Sequence, residues 1–430
     1  MFSIKRKVIG SIFLLLAVIA PRTWGGEPSP PPKLELLVAS ALENNPEIKS
    51  SQARWEMFTA KVRQAGTLDD PMLMLRIQNA MVKDPLAFDM DTMTAKVIGI
   101  SQMVPFYGKR GLAREGAQLE AENNRWMLEE RKVELARMVK ETWYKLYFVD
   151  RSLEVVTKNI GLLDDLTRFS ETMYGVGQGL QQDVLKAQLD RSRMEDMRIV
   201  LQQQRRSLAA TLNTLAFRPA DTEIPPLPLI RLTAFHLNAA DLLKLAGEYR
   251  PALKATASLM EKAQVGRRLA EKEFYPDFTL SLEYMQRDPV METPGDDMYS
   301  LGVSFNLPLQ RERRHAMVAE SESEHRMAAA ELEMQRNQIH YTVADALARI
   351  ERSRKLAQLY QDGILPQAGN ALEAAMAAYR VGKADFMNVL DSQMNLFNYE
   401  REYHDAIAEH EMQLAVLEGV VGAPLPVAAP

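Results

Sequence analysis

Apolar and polar side chains alternate along two segments in the second half of the chain. From Phe278 to Tyr284, and again from Tyr299 to Leu307, every second residue is apolar. A period of two is typical of a β-strand that has one apolar and one polar face. A weaker alternation in the first half predicts another pair of strands. The sequence therefore predicts two β-hairpins, at about 71–105 and about 276–308.

A heptad pattern follows each hairpin. Apolar positions between Leu135 and Leu163, and between Ile339 and Ile350, are spaced alternately by four and three residues. This spacing is typical of coiled-coil helices. Each helical segment spans about 70 residues, or roughly 100 Å at 1.5 Å per residue. Gly161 and Pro366 lie at corresponding positions and are expected to bend or interrupt the two helices.

The same order of elements occurs twice, at an offset of about 205 residues. Ile98–Pro105 corresponds to Leu301–Pro308, and Tyr174–Gly177 corresponds to Tyr379–Gly382. The period is too long for a solenoid repeat, so we predict two copies of one unit made of a helix, a β-hairpin and a long helical hairpin. The predicted division is a signal peptide (1–26), the first repeat (27–217), a proline-rich linker (218–235), the second repeat (236–420) and a C-terminal tail (421–430).

Composition excludes several classes of function. The 430 residues include no cysteine, which excludes disulfides, thiolate zinc sites, cysteine nucleophiles and a lipid anchor on cysteine. The net charge is −5 and no basic stripe is present, so nucleic acid is not an expected partner.

The first residues have the pattern of a secretory signal peptide. Basic residues at 5–7 precede an apolar run from Val8 to Ala20, and the expected cleavage lies between Ala20 and Glu27. The apolar run is short for a membrane anchor, which is the alternative interpretation. No later segment is apolar for long enough to predict a transmembrane helix.

Four strands with one apolar face pose a physical problem. A sheet of that size cannot close into a barrel by itself, and an apolar face exposed to water would promote aggregation. Strands of about 10 residues can span a bilayer, provided that the sheet is closed. We therefore predict that the apolar face contacts lipid and that several copies of the chain close one barrel.

Two motifs, each present in both repeats, resemble those of the TolC-type outer-membrane efflux proteins. One ends the second strand of each hairpin, with Gly99, Ser101 and Pro105 in the first repeat and Gly302, Ser304 and Pro308 in the second. The other is Tyr-x-x-Gly followed by Val-Leu-x-x-Gln, which begins at Tyr174 and at Tyr379. The run Pro105–Arg110 is similar to the heavy-metal branch of that family.

This resemblance implies a mainly α-helical fold with a membrane β-barrel. Three protomers would each give four strands to a twelve-stranded barrel, which long antiparallel coiled-coil helices continue as a tunnel through the periplasm. The implied function is a passive outer-membrane exit duct, surrounded by outer-membrane lipid, opened by a periplasmic adaptor and driven by an inner-membrane pump of the RND type. No cofactor is implied.

The resemblance also assigns roles to residues of the two turns. Val176, Gly177, Val381 and Gly382 match the tips on which the adaptor docks. Asp183, Tyr379, Lys383, Asn388 and Asp391 match a periplasmic gate, with Asp391 in a carboxylate ring that favours cations. The chain departs from the family pattern in having Ala384 and Asn388 where an arginine and a second carboxylate are usual. The alternative is that Asp183 and Asn388 cap helices and that Asp391 favours a helix N-terminus.

Other functions have less support. Glu322 and His325 have the spacing of a di-metal ligand pair, but a bundle site needs two such pairs and no second exists, so neither an enzyme nor a metal site is expected. Six methionines surround the first hairpin and would suit a soft metal, although flexible apolar packing is the simpler interpretation. They are Met72, Met74, Met81, Met90, Met93 and Met103.

A soluble periplasmic coiled-coil scaffold or adaptor is the alternative function. It accounts for the heptads but not for the hairpins.

Overall fold

The computed structural model describes residues 33–426 and is mainly helical, with one small antiparallel sheet. Its helices are Leu34–Asn44 (α1), Pro46–Ala65 (α2), Lys109–Gly175 (α3), Gln181–Leu215 (α4), Ala239–Tyr249 (α5), Pro251–Lys272 (α6), Arg311–Leu359 (α7), Leu365–Arg380 (α8) and Phe386–Val421 (α9). Its strands are Met72–Gln78 (β1), Ala95–Val104 (β2), Phe278–Gln286 (β3) and Met298–Phe305 (β4). The predicted signal peptide, 1–26, lies outside the described residues.

The four strands form a single sheet in the order β1-β2-β3-β4. The two hairpins are joined because β2 pairs with β3, with Ile100 opposite Leu282. On one face the cross-strand rows are apolar, and each member of the two central rows is at least 45 % exposed: Leu73, Ile100, Leu282 and Leu301 in one row, and Leu75, Ile98, Tyr284 and Tyr299 in the next. The predicted alternation thus produces a continuous apolar surface that nothing in the described chain covers.

The opposite face of the sheet is mostly polar. Arg76 reaches across β2 to form a 3.0 Å ion pair with Glu283. Ser101 lies opposite Ser281, which in turn lies opposite Gly302. One apolar and one polar face are typical of a sheet that contacts lipid on one side and water on the other.

The heptad positions of α3 form its buried seam. Leu135, Val139, Leu146, Val156 and Leu163 are each at most 1 % exposed. Toward the C-terminal half of α3, this seam packs with buried residues of α4, α8 and α9 in a single hydrophobic cluster. The two helical hairpins therefore lie side by side and share a core.

The predicted interruptions are confirmed in only one of the two repeats. In the second repeat a π turn at Tyr360–Ile364 separates α7 from α8 just before Pro366. Proline lacks an N–H and its ring crowds the carbonyl four residues earlier, so a locally widened helix accommodates it. No interruption occurs at Gly161, where α3 runs for 67 residues without a break. Glycine inside a helix costs only about 1 kcal/mol, and the buried neighbours Ile160 and Leu163 offset this cost.

The segment that connects the two repeats is held against α3 and α4 by hydrogen bonds. Asp150 of α3, only 3 % exposed, accepts hydrogen bonds from the backbone N–H of Leu227 at 2.8 Å and from Nε of Arg205 at 2.6 Å. Arg205 of α4 also donates to the carbonyl of Ile224 at 2.8 Å. Ile224 and Leu227 are themselves buried. An ion pair between α3 and α4 thus holds the connection that orients the second repeat.

Among the described residues, no helix is long and apolar enough to cross a membrane.

Replacing Asp150 tests this attachment. Asp150→Ala leaves the guanidinium of Arg205 and the N–H of Leu227 without their acceptor, and the loss of one partner of a buried pair costs about 3–5 kcal/mol. We expect that decrease in the free energy of unfolding, measured by urea titration of the helical circular dichroism signal in detergent. Asp165→Ala, which breaks an exposed pair with Arg168 on the same helix, is the control and should change little. Equal effects of the two substitutions would contradict this role of Asp150.

Candidate functional site

The two helical hairpins end in turns of the same conformation. In the first turn, Gly177 N–H donates to the carbonyl of Tyr174 at 3.0 Å and Gln178 N–H donates to that of Met173 at 2.8 Å. The second turn repeats this pattern, since Gly382 donates to Tyr379 at 3.0 Å and Lys383 donates to Ala378 at 2.9 Å. Paired bonds of this kind satisfy the last free carbonyls of a helix. The repeated sequence motif is therefore a helix stop that folds alike in both copies.

These turns require glycine because of their backbone conformation, and not because a side chain would lack space. Gly177 has φ of 74° and Gly382 has φ of 71°, a left-handed conformation that side chains disfavour. A Cβ at either position would meet no atom within 4 Å. The preceding valines, Val176 and Val381, are 63 % and 67 % exposed. Each turn thus presents an apolar side chain on an open tip.

A contact between Tyr379 and Asp183 brings the two turns to the same end of the molecule. The Tyr379 hydroxyl, at the end of α8, donates to Oδ2 of Asp183, at the start of α4, at 3.3 Å. Both residues are buried, at 7 % and 8 % exposure. The Tyr379 ring lies between Phe169 and Phe386, with ring centroids 5.7 Å and 5.2 Å away. Two of the predicted gate residues are therefore in direct contact and link the first helical hairpin to the second.

The surroundings of Tyr379 keep its hydroxyl protonated. Burial raises the pKa of Tyr379 above its ordinary value, and the nearby Asp183 carboxylate also raises it. A protonated hydroxyl can donate to the carboxylate, so the contact persists at neutral pH.

Asp183 also has the capping role that was the alternative to a gate. Its carboxylate accepts weakly, at 3.4 Å, from the backbone N–H of Leu180, which begins the turn into α4. The same carboxylate thus contributes to a helix N-terminus and to the contact with the second repeat.

The other predicted gate residues do not join this contact. Lys383, Asn388 and Asp391 are exposed, and within residues 33–426 none of their side chains forms a hydrogen bond or ion pair. The capping interpretation is wrong for Asn388, because α9 is capped by Asp385, whose Oδ1 accepts from Met387 N–H at 3.3 Å. Asn388 and Asp391 are three residues apart, so they lie on one exposed face of α9.

The sequence motifs did not identify Asp385, Phe169 or Phe386. An aspartate directly before an apolar helix start is a recognised capping signal and could have identified Asp385. The two phenylalanines belong to different repeats and lack aromatic counterparts 205 residues away, at Ala374 and Gln181. The duplication therefore gave no indication of their role.

The strand-end motif has a steric explanation. A Cβ at Gly99 would lie 3.1 Å from Glu283 Cγ, and a Cβ at Gly302 would lie 2.5 Å from Ser281 Oγ. Both glycines thus make room for polar side chains on the polar face of the sheet. Ser101 of β2 lies on that face. Ser304 of β4 lies opposite Thr279 of β3. Pro105 and Pro308 follow the strands, where a missing N–H removes no ladder bond.

Asp277 connects three strand ends and was also missed. Its Oδ1 accepts from the backbone N–H of Phe106 at 2.7 Å, and its carboxylate forms a 3.0 Å ion pair with Lys109. Its own N–H donates to Oδ1 of Asn306 at 2.7 Å. The corresponding residue in the first repeat is Met72, so comparison of the repeats could not reveal it.

The histidines and carboxylates in the described part of the chain give no support for a bound metal ion. This part contains no group of three or more His, Cys, Asp or Glu side chains able to hold a metal ion. Glu322 instead lies 3.6 Å from Arg267, and His325 lies 3.1 Å from Gln264.

Comparison with known proteins agrees with this geometry. Residues 242–423 match the family model of the outer membrane efflux proteins. The resemblance predicted from the sequence is confirmed, and with it the expectation that the chain is not an enzyme, because that family consists of passive channels. The fold is that of the TolC-type channels.

Individual relatives are similar over nearly the whole chain. The cobalt-zinc-cadmium resistance protein CzcC of Cupriavidus metallidurans is 20 % identical over 417 residues, which are 94 % of this chain and 92 % of CzcC. The crystal structure of the outer membrane protein VceC from Vibrio cholerae superposes with a TM-score of 0.77 at 19 % identity, over 91 % of this chain and 96 % of VceC. The structure of CusC has the same TM-score at 15 % identity, over 91 % and 92 %.

Proposed function

We propose that this protein is the outer-membrane exit duct of a tripartite efflux system, a homotrimer that conducts its substrates passively from the periplasm to the exterior. The main support for the proposal is the exposed apolar face of a four-stranded sheet. In the described part of the chain, the two outer strands of this sheet each leave one edge unpaired. The match of residues 242–423 to the model of the outer membrane efflux proteins supports a membrane as the environment of this face.

The unpaired edges call for closure by further copies, and the family resemblance gives three. Within residues 33–426, β1 and β4 each pair on one side only. An open edge is not stable in a bilayer, where each free N–H and carbonyl costs several kcal/mol. Joining β4 of one copy to β1 of the next removes both edges, and three copies give twelve strands. The apolar face then contacts lipid and the polar face, with Arg76 and Glu283, lines the interior.

The helices continue the duct away from the sheet. α3 begins a few residues after β2 ends, and α7 follows β4 in the same way. At 67 residues α3 is about 100 Å long, which suits a tunnel crossing the periplasm. The alternative, a soluble periplasmic coiled-coil scaffold, leaves the apolar sheet face without a purpose.

The Tyr379–Asp183 contact supports a closed gate at the far end of this tunnel. It joins the two helical hairpins where they turn, so breaking it would free one hairpin to move against the other. Three copies of Asp391 on the exposed face of α9 would form a ring that attracts cations. Lys383, exposed beside the turn, is available for a link to another protomer.

The proposed partners bind at this same end of the molecule, where the two turns lie. We infer that the exposed tips at Val176–Gly177 and Val381–Gly382 receive a periplasmic adaptor, which couples the duct to an inner-membrane pump of the RND type. Similarity to CzcC, a cobalt-zinc-cadmium resistance protein, supports heavy-metal cations as the substrate.

A charge on the apolar sheet face tests the membrane assembly. Leu301→Arg places a cation against lipid and should cost about 2–4 kcal/mol at mid-bilayer depth. We expect loss of trimers, measured by sedimentation with detergent correction after extraction from membranes. Ser300→Arg is the matched control, because Ser300 lies opposite Glu283 on the polar face and should leave the trimer intact. A wild-type protein that is released by salt and sediments as a monomer would contradict the proposal and favour the scaffold.

Substitutions in the turns test adaptor docking. Gly177→Glu and Gly382→Glu add bulk and charge to the tips and should abolish export while trimers still form. The measurement is the metal sensitivity of cells that express each variant, together with the amount of trimer in their membranes. Gly247→Glu, in an exposed part of α5, is the control for a charged substitution elsewhere. Full resistance in both tip variants would argue against docking at these turns.

Single-channel conductance tests the gate. Tyr379→Phe combined with Asp183→Asn removes the donor and the charge of the buried contact, so the resting conductance in planar bilayers should rise. Asp391→Asn should leave the resting conductance low but reduce cation preference and block by multivalent cations. If conductance and selectivity stay unchanged in these variants, Asp183 has only its capping role.

A further inference from the structure

Every methionine of the four strands lies on the polar face of the sheet. Because strand residues alternate between the two faces, the face that carries Glu283 also carries Met72, Met74, Met103, Met285 and Met298. The surroundings of Gly99 agree with this, since a Cβ there would lie 3.2 Å from Met74 Cε and 3.1 Å from Glu283 Cγ. Within the same strands, the apolar face is formed mainly by leucine, isoleucine, valine, phenylalanine and tyrosine, and carries no methionine.

Flexible apolar packing does not account for this distribution. A membrane barrel places apolar side chains toward lipid and polar side chains toward its interior. A methionine present only for its apolar character would therefore lie on the lipid face, beside the leucines. Met72 and Met298 are instead 72 % and 44 % exposed on the face that the proposed duct turns toward water. The property that separates methionine from leucine is its polarizable thioether sulfur.

The five methionines occupy successive cross-strand rows of the polar face. From the helical end of the sheet to the end with the hairpin loops, these rows contain Met103, Met72, Met74, and then Met285 with Met298. Rows on one face are about 6.6 Å apart, because each residue of a strand advances about 3.3 Å. The series thus extends over about 20 Å, which is nearly the full length of the strands.

Neighbouring members of the series are close enough for two thioethers to share an ion. Met72 and Met74 follow each other on one face of β1, and Met103 lies diagonally from Met72, whose direct partner is Ser101. Diagonal neighbours in a sheet are about 7–8 Å apart, within reach of long side chains. These three residues form an inner group. Met285 and Met298 lie directly opposite each other and form an outer pair.

The surroundings of these sulfur atoms carry little free charge. Glu283 is the carboxylate within these rows, and it forms a 3.0 Å ion pair with Arg76. Most other side chains of the rows are the neutral hydroxyls of serine and threonine. Hard divalent cations prefer several charged oxygen ligands, whereas uncharged thioethers suit Cu(I) and the chemically similar Ag(I). The face is therefore selective by the softness of its ligands and not by their charge.

We propose that the polar face of the sheet binds the soft monovalent cations Cu(I) and Ag(I) through the thioethers of the inner group and the outer pair, as these ions leave the duct. This inference rests on the proposed exit duct and narrows its substrates to soft cations. Several weak sites in series let an ion enter and still leave, which suits a passive channel better than one tight site.

Silver binding tests the inner group, because Ag(I) needs no reducing agent. One variant combines Met72→Leu, Met74→Leu and Met103→Leu, since leucine keeps the approximate volume and lacks the sulfur. We expect this variant to bind fewer Ag(I) ions per protomer than the wild type, measured by equilibrium dialysis of the detergent-solubilised protein in chloride-free buffer. Binding of Co(II), which prefers nitrogen and oxygen ligands, should be the same in both.

The outer pair and a set of helical methionines complete the comparison. Met285→Leu with Met298→Leu should also lower the number of bound Ag(I) ions, and it is measured separately so that each group is tested in its own protein. The matched control replaces three exposed methionines of α3 and α7 by leucine and should bind Ag(I) as the wild type does; they are Met127, Met327 and Met334.

The outcomes separate this site from the function on which it rests. Sedimentation of the same samples reports whether the protein is a trimer. Trimers whose Ag(I) binding is unchanged in both strand variants, or is lowered only in the helical control, would overturn the site and leave the duct in place. A wild-type protein that sediments as a monomer would overturn the duct, and dialysis would still report on the inner group, which lies within one chain. In planar bilayers, Ag(I) should block the wild-type channel more than either strand variant, and equal block would count against the site.

Discussion

The structure depends on one constraint, which is that four short strands present an apolar face and two unpaired edges that a single chain cannot cover. The rows through Leu282 and Tyr284 are exposed from β1 to β4. In water such a sheet would associate through its edges and its apolar face. In a bilayer the apolar face is stabilised, and closure with other copies satisfies the edges. The choice of environment and the need for oligomerisation thus have the same origin.

The two repeats are alike in their turns and differ in the contacts beside them. The two turns fold alike because a left-handed glycine ends each helix. The contacts beside them are not alike, since only the second repeat places its tyrosine against a carboxylate within the chain. The duplication therefore accounts for the shared form of the two turns, and the departures from it account for the one contact that joins the two repeats there.

Local patterns were sufficient to predict most elements of this fold. The period of two identified the strands of the second hairpin, and the heptads identified the seam of α3, because each pattern reports one buried or exposed face. Contacts between segments that are distant in the sequence were not predictable. Asp277 and Asp150 accept in part from backbone groups, and any residue type except proline can supply a backbone N–H, so such pairs leave no pattern. The continuous helix at Gly161 reflects tertiary packing that outweighs a local preference. At the contact between Tyr379 and Asp183, the motif identified both residues but not the phenylalanines beside the tyrosine ring.

The central claim is that one face of the sheet contacts lipid and the other contacts water. Spin labels on single cysteines, introduced into this cysteine-free chain at Leu282 and Leu301 and at Ser281 and Ser300, measure it most directly in reconstituted vesicles. We expect the labels at the two leucines to collide with oxygen dissolved in lipid and those at the two serines to collide with a water-soluble nickel complex. Equal access of all four labels to the nickel complex would contradict it.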